Sequence, residues 1–268
     1  MTHVGGAVPL VSRWLASDAD KRYDLHSLRV FFSGGAKLPP EMRRRVEERF
    51  GCTYLENFGC GEGLINIVPR GSSEYVRMHS SGRPVCDADE IKVIDDDENE
   101  VPLGQLGELA CRGPYTIRGY YDSPAVNASG FTADGFYKMG DVVRLVDGDI
   151  YLEGRKKDLI NRGGEKISSE EVENFIVAHP AVHSACVVSM PDAVFGEKAC
   201  AFVMLREGAT LDFKELSSFL TERGIAKFKL PERLELVSEF PMSPAGKVLR
   251  RDLRVMIAEK LAAEGGRR

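Results

Sequence analysis

The chain has 268 residues, enough for one large or two ordinary domains with a substantial core. Apolar residues make up 43% and charged residues 29%, and 36 basic against 41 acidic side chains leave a net charge of −5. That balance offers no electrostatic case for nucleic acid or an anionic membrane as a partner. No apolar run approaches the roughly 20 residues of a membrane span. The opening MTHVGGAVPLVSRWL lacks the basic-then-apolar layout of a secretion signal, so the expectation is a soluble, cytoplasmic protein. Six cysteines without CxxC spacing read as reduced thiols, and five histidines form no HxxxH or HExxH pair suited to a metal.

In chain order, residues 29–32 read as a short buried strand that stops at Gly34-Gly35. A helix follows over 40–50, with proline at its start and Gly51 at its end. Its cluster Arg43-Arg44-Arg45, followed at once by Glu47 and Glu48, reads as a solvated helix face. Residues 53–68, TYLENFGCGEGLINIV, make a second passage from apolar residues to glycine. Strand, glycine, helix and strand in that order predict a parallel α/β layer, whose loops at the strands' carboxyl ends hold ligands.

From about residue 80 to 153 the texture changes. Short runs at 90–94, 107–112, 142–145 and 150–153 are broken by Gly, Pro and Asp, which predicts a small strand-rich subdomain with a hairpin turn at Asp147-Gly148. The stretch 136–167, FYKMGDVVRLVDGDIYLEGRKKDLINRGGEKI, is the most informative in the chain. It holds Gly140-Asp141, then Gly154-Arg155-Lys156-Lys157-Asp158, then Arg162-Gly163-Gly164-Glu165-Lys166. A carboxylate that can grip a ribose, a basic swivel and a flexible glycine loop thus fall close together. Beyond residue 158 the pattern predicts a helix over 169–178, capped by Ser168 or Ser169 and acidic in its first turn. Strands at 185–189 and 199–205, a helix at 213–223 and a strand at 233–237 complete a small α+β domain. There are no internal repeats and no low-complexity segments.

The motifs GGAKL, FGCGEG, GELACRGPYTIRGYY, MGD, GRKKDLINRGGEKI and PMSPAGKVLRRDL, in this order, resemble those of the adenylate-forming enzymes. That family comprises acyl-CoA synthetases, peptide-synthetase adenylation domains and luciferases. The fuller stretches RGPYTIRGYY, GFYKMGD, KDLINRGGEKI, EEVENFIVAHPAVHSACVVSMPD and AKFKLPERLE are most similar to its stand-alone aryl-acid branch, which activates 2,3-dihydroxybenzoate or salicylate in siderophore assembly. The resemblance runs over residues 25–253. The family's Ser/Thr/Gly-rich phosphate loop, of the type STGGTTGxPK, is not found, and Ser80-Ser81-Gly82-Arg83-Pro84 is only a superficial echo of it. The resemblance therefore implies an α/β plus α+β fold in two parts. Residues 1–156 would be the C-terminal part of the large domain, and 157–268 a mobile small domain. As an isolated half the chain is expected to be inactive, with a missing N-terminal half as a possible partner.

The resemblance also implies roles. ATP and Mg²⁺ would be the cofactors. Lys247 would bridge the substrate carboxylate and the α-phosphate, Asp141 would accept both ribose hydroxyls, and Glu62 would help to hold Mg²⁺. Gly61 stands where the wider family has threonine and the aryl-acid branch alanine, so α-phosphate contacts near Gly59 and Gly61 would rest on backbone N–H groups. Gly34, Gly35 and Ala36 would line the slot for adenine and the aryl ring, and Ile65 the pocket floor. Isoleucine there does not choose between acids, because such neighbours differ by only about 1–3 kcal/mol. Arg155 would lie against ribose or phosphate, or in a structural ion pair. Lys157 would be the hinge, and Gly163 and Gly164 would border a tunnel for a pantetheine thiol. Read without the motif order, the same residues are a turn lysine, a turn aspartate, a strand-end acid, a tight strand-to-helix turn and a glycine-rich linker.

The activity implied is formation of an aryl-adenylate from an aryl acid and ATP, then acyl transfer to an aryl carrier protein. The alternatives are a CoA ligase for another aromatic or small acid, and a non-catalytic module that binds a carrier protein.

Overall fold

A computed structural model describes residues 1–243 and 248–265, and the chain divides into two units, Met1–Leu152 and Glu153–Arg268. The first unit begins with β1 (His3–Ala7), α1 (Val8–Ala16), α2 (Ala19–Arg22), β2 (Val30–Gly34) and α3 (Pro40–Phe50). It continues through β3 (Thr53–Cys60), β4 (Leu64–Ile67), α4 (Glu74–His79) and β5 (Arg83–Pro84). The strands form one sheet in the order β1-β2-β3-β4-β5, parallel from β1 to β3 and antiparallel from β3 to β5.

Helix α3 is the crossover between parallel β2 and β3, as the strand, glycine, helix and strand pattern predicts. Pro40 suits its first position because the missing N–H has no helical partner there. The face carrying Val46 and Phe50 buries against Phe31, Leu38 and Tyr54 from the sheet side and Val11 and Leu15 from α1. Burying each such apolar side chain stabilises the fold by about 1.5–3 kcal/mol. The same face carries Arg43, three residues before Val46, and this corrects the expectation of a solvated basic cluster. Arg43 is fully buried. It ion-pairs with Glu56 at 3.2 Å and donates to the carbonyls of Leu38 (2.7 Å), Ser80 (3.0 Å) and Arg77 (3.1 Å). Arg44 and Arg45, off that face, remain partly or fully exposed. Burial pushes the Glu56 carboxyl up to about 7, against the opposing Arg43 charge.

The second sheet of this unit holds β6 (Glu90–Ile94), β7 (Gly107–Arg112), β8 (Tyr137–Val146) and the start of β9 (Asp149–Arg155), which runs on past the boundary at Leu152, in sequential order, with α5 (Pro124–Gly130) inserted before β8. Its pairs β6-β7 and β7-β8 are antiparallel. The turn between β8 and β9 is at Asp147-Gly148, as expected, both residues having positive φ. Leu109, Met139, Val143 and Ile150 from this sheet bury against Leu64 of the first.

The second unit contains β10 (Leu159–Arg162), β11 (Glu165–Ser168), α6 (Ser169–Val177), β12 (Val182–Asp192) and β13 (Gly196–Leu205). It ends with α7 (Phe213–Glu222), β14 (Arg233–Leu236) and α8 (Arg250–Gly265). The sheet order is β11-β10-β13-β12, with β14 parallel to β13. Alternation along the strands separates two cores. Val187, Ala201 and Val203 face Val172, Ile176, Leu216 and Leu220 of α6 and α7, whereas Cys186, Val188 and Phe202 face Leu253 and Ile257 of α8. Ser168 caps α6 by accepting from the Glu171 N–H at 3.1 Å, ahead of the acidic first turn. All six cysteines are free thiols, and no described helix is long and apolar enough to cross a membrane.

Candidate functional site

Asp141 is presented by a bulge. Glu108 of β7 lies opposite Val142 of β8, and Ala110 opposite Lys138, so Met139, Gly140 and Asp141 together face Leu109 alone. Extra residues bend a strand and re-aim its side chains. Gly140 makes the bend at a φ of 72°, which a Cβ would strain. Its N–H, taken out of the ladder, donates to Glu108 Oε1 at 3.1 Å. Asp141 itself is 3% exposed.

Glu62 sits in the three-residue turn between β3 and β4, and the RGPYTIRGYY segment braces that turn from outside. The turn approaches its brace closely: a Cβ on Gly63 would lie 2.3 Å from Thr116 Cα. The Ile117 N–H donates to the Glu62 carbonyl at 2.8 Å, and the Thr116 hydroxyl to the Gly63 carbonyl at 3.2 Å. The Tyr120 hydroxyl donates to Glu62 Oε1 at 2.8 Å and lies 3.0 Å from the Tyr137 hydroxyl. Asn127 holds both backbone groups of Tyr120, at 2.7 and 2.9 Å. Burial, the Tyr120 hydrogen bond and the Glu62 charge all push the Tyr137 hydroxyl up. Through the two tyrosines, Glu62 is tied to β8, the strand that carries Asp141.

Glu62 Oε2 has no hydrogen-bond partner among the described residues. One hard carboxylate oxygen fits Mg²⁺, which is commonly held by one or two carboxylates together with substrate phosphates. No cluster of three or more candidate metal ligands exists among the described residues.

Gly34, at the end of β2, pairs with Asn57 of β3, and a Cβ there would lie 2.7 Å from the Asn57 carbonyl oxygen. Gly35 and Ala36 follow at the exposed strand end. Gly59 pairs with Ile65 across the β3-β4 hairpin, and Gly61 is exposed in its turn. Ile65 is 44% exposed and is not part of the core. Ser80 and Ser81 are fully buried, and a Cβ on Gly82 would strike the Ile67 backbone at 2.2 Å. The segment 80–84 is therefore packed closely against β4 and is not a phosphate cradle.

In the second unit, Arg155 ends β9 and is exposed, while Lys157 is exposed in the one-turn helix Lys156–Asp158. Gly163 and Gly164, expected in a flexible loop, instead form the two-residue turn of the β10-β11 hairpin, with φ of 58° and 98°. Two successive positive φ values are what such a turn requires, so glycine is explained there by hairpin geometry. The Gly163 N–H donates to the Phe195 carbonyl at 2.9 Å, and Arg162 stacks on the Phe195 ring at 3.9 Å. Lys247 lies outside the described residues. The chain on either side is drawn together by a Met242–Val248 bridge and by the Leu249 N–H donating to the Pro241 carbonyl at 2.8 Å.

Three supporting residues were not foreseen: Glu108, Tyr120 and Asn127. Glu108 carries one sequence signal, an acid inside the otherwise apolar run GELAC. The tyrosine and asparagine contacts depend on tertiary pairing and have no local signature.

Comparison with known proteins completes the picture. The AMP-binding enzyme family matches residues 1–121, and the AMP-binding enzyme C-terminal domain matches residues 171–247. The chain is 49% identical to the 2,3-dihydroxybenzoate-AMP ligase of Bacillus subtilis over 95% of its own length and 47% of the relative's. It is 46% identical to pyochelin synthase PchD of Pseudomonas aeruginosa, over 98% of its length and 48% of that protein's. The fold is similar to that of ATP-bound MatB from Rhodopseudomonas palustris, with a TM-score of 0.85 at 30% identity, covering 95% of this chain and 50% of MatB. The chain thus spans about half the length of the curated relatives it matches. It belongs to the family of AMP-binding, adenylate-forming enzymes.

Proposed function

We propose that this chain, together with the half of the enzyme that its relatives have and it does not cover, activates an aryl acid of the 2,3-dihydroxybenzoate or salicylate type. The acid's carboxylate attacks the α-phosphate of ATP, an acyl-adenylate forms and pyrophosphate leaves. A thiol of a carrier-protein pantetheine then attacks the acyl carbon, a thioester forms and AMP departs. The single observation that carries this reading is the Gly140-Asp141 bulge: a buried carboxylate at a break in the β7-β8 ladder, next to a backbone N–H held by Glu108. An ionised two-oxygen acceptor on rigid backbone suits a pair of ribose hydroxyls.

The other residues take parts consistent with their placement. Glu62, fixed by Tyr120 through one oxygen, offers the other to Mg²⁺, which when bound neutralises phosphate charge. Gly34, Gly35 and Ala36 leave open a strand end for flat rings, with Ile65 facing the aryl group. Gly59 and Gly61 leave backbone N–H groups accessible to phosphate, and Arg155 adds a cation. Lys247 neutralises charge as it builds between carboxylate and α-phosphate, an effect worth about 3–4 kcal/mol in a closed site. Lys157 is the hinge about which the small domain, residues 157–268, turns after the first step. The hairpin tip at Gly163-Gly164 then borders the thiol's path.

The test is ATP–pyrophosphate exchange over a panel of hydroxybenzoates, with the chain alone and with an upstream half supplied. We expect exchange only in the completed enzyme, and only with ortho-hydroxylated aryl acids. Exchange by the chain alone refutes the claim that it acts as half of an enzyme. Absence of exchange with every aryl acid in the completed enzyme refutes the substrate class, and transfer to CoA in preference to a carrier protein refutes the acceptor. In that enzyme, Lys247→Ala should abolish adenylate formation and spare thioester formation from supplied adenylate. Equal loss of both steps contradicts the rotation.

A further inference from the structure

Asp158 closes the one-turn helix that contains Lys157. Its Oδ1 accepts from Arg254 Nη2 at 2.7 Å, and its Oδ2 lies 3.9 Å from Arg250 Nε. Its carbonyl accepts the Ser169 hydroxyl at 2.7 Å. Arg254 Nη2 also donates to the Lys157 carbonyl at 3.2 Å. Arg250 and Arg254 stand one turn apart on the same side of α8.

The two arginines do different things. Arg250 forks onto Glu173 of α6 at 2.5 and 2.8 Å and donates to the Val187 carbonyl of β12 at 2.9 Å, so it anchors the start of α8 to the body of the unit. Among the described residues, both partners of Arg254 belong to the Lys157 turn, the Asp158 carboxylate and the Lys157 carbonyl. The Arg254–Asp158 pair is also partly solvated, with side chains 29% and 17% exposed. A pair of that kind can be broken and remade more easily than one sealed in a core.

We infer that Arg254 is a positioning residue, which ties the turn holding Lys157 to α8, the helix that begins three residues after Lys247. The inference rests on the reading of Lys157 as hinge and Lys247 as the charge-neutralising lysine. A backbone rotation at Lys157 must then either carry α8, and with it the base of the Lys247 segment, or break the charge-assisted bond from Arg254.

The first test is hydrogen–deuterium exchange on the intact chain. The Leu159 N–H, which bonds to the Lys156 carbonyl, reports the turn. Arg254→Gln should speed its exchange about tenfold. The Val187 amide, held by Glu173, should be unchanged, which separates loss of the tie from general unfolding. Arg254→Lys, which keeps the charge but not the planar fork, should fall between. Unchanged exchange at Leu159 in Arg254→Gln overturns the inference. The second test measures the two half-reactions in the completed enzyme. Arg254→Gln should shift the ratio of adenylate to thioester formation by about threefold or more, and Arg254→Lys should restore it in part. An equal fall in both rates would mark a merely structural residue and overturn the positioning role. Faster exchange at Leu159, in an enzyme whose adenylate formation survives Lys247→Ala, would uphold the tie and overturn the reading it serves.

Discussion

The bulge at Gly140 and the hairpin tip at Gly163-Gly164 use the same backbone freedom in opposite surroundings. Gly140 bends the middle of a paired strand, where the displaced N–H has to be satisfied by a buried acid and the next residue is 3% exposed. Gly163 and Gly164 reverse the chain at an exposed tip, and nothing lies within 4 Å of where a Cβ on Gly164 would be. In the first region glycine serves to aim a neighbouring side chain. In the second it serves to make the tip narrow. Sequence alone shows glycine in both and cannot show that difference.

The comparison predicts a graded set of stability losses. Gly140→Val should cost the first unit about 2–3 kcal/mol, because a β-branched residue is strained at a φ of 72° whatever space it finds. A loss below about 0.5 kcal/mol in denaturant unfolding would break the bulge account. Glu108→Ala should cost about 1.5 kcal/mol by leaving the Gly140 N–H without its acceptor, and Glu108→Gln distinctly less. Gly164→Ala should cost about 1 kcal/mol through φ alone. Gly163→Asn should cost about 0.5 kcal/mol, since asparagine accepts the left-handed region and only the Phe195 ring edge, 3.0 Å from the new Cβ, has to give. Thioester formation sharpens the Gly164→Ala case. If the tip borders a thiol's path, Gly164→Ala slows transfer by more than its stability cost, with adenylate formation unchanged. Equal effects on both steps would leave hairpin geometry as the whole reason for glycine.

Local signals carried much of the fold. Proline at 40 and glycine at 51 bracket α3 to the residue, and β6 and β7 begin and end where their apolar runs do. Strand β12 runs well beyond its apolar centre at 185–189, because its pairing with β13 extends through polar residues to Asp192. β1 and α1 were not legible: HVGGA is too glycine-rich to read as a strand, and α1 has no side-chain cap. The helix face of α3 was misread at Arg43, where charge suggested solvent but the three-residue step to Val46 placed it inside. At the site, MGD and GCGEG stood out by composition. What they become depends on register against β7 and on Tyr120, which is 58 residues from Glu62 in sequence. Such long-range pairing leaves no periodicity to read.

The most direct test of the account is the ATP dependence of pyrophosphate exchange by the completed enzyme carrying Asp141→Asn. Asparagine keeps the shape and removes the charge and one acceptor. The account predicts a fall of about 100-fold in kcat/KM for ATP with no change in KM for the aryl acid. Unchanged ATP kinetics would contradict the central claim that the bulge exists to hold a nucleotide.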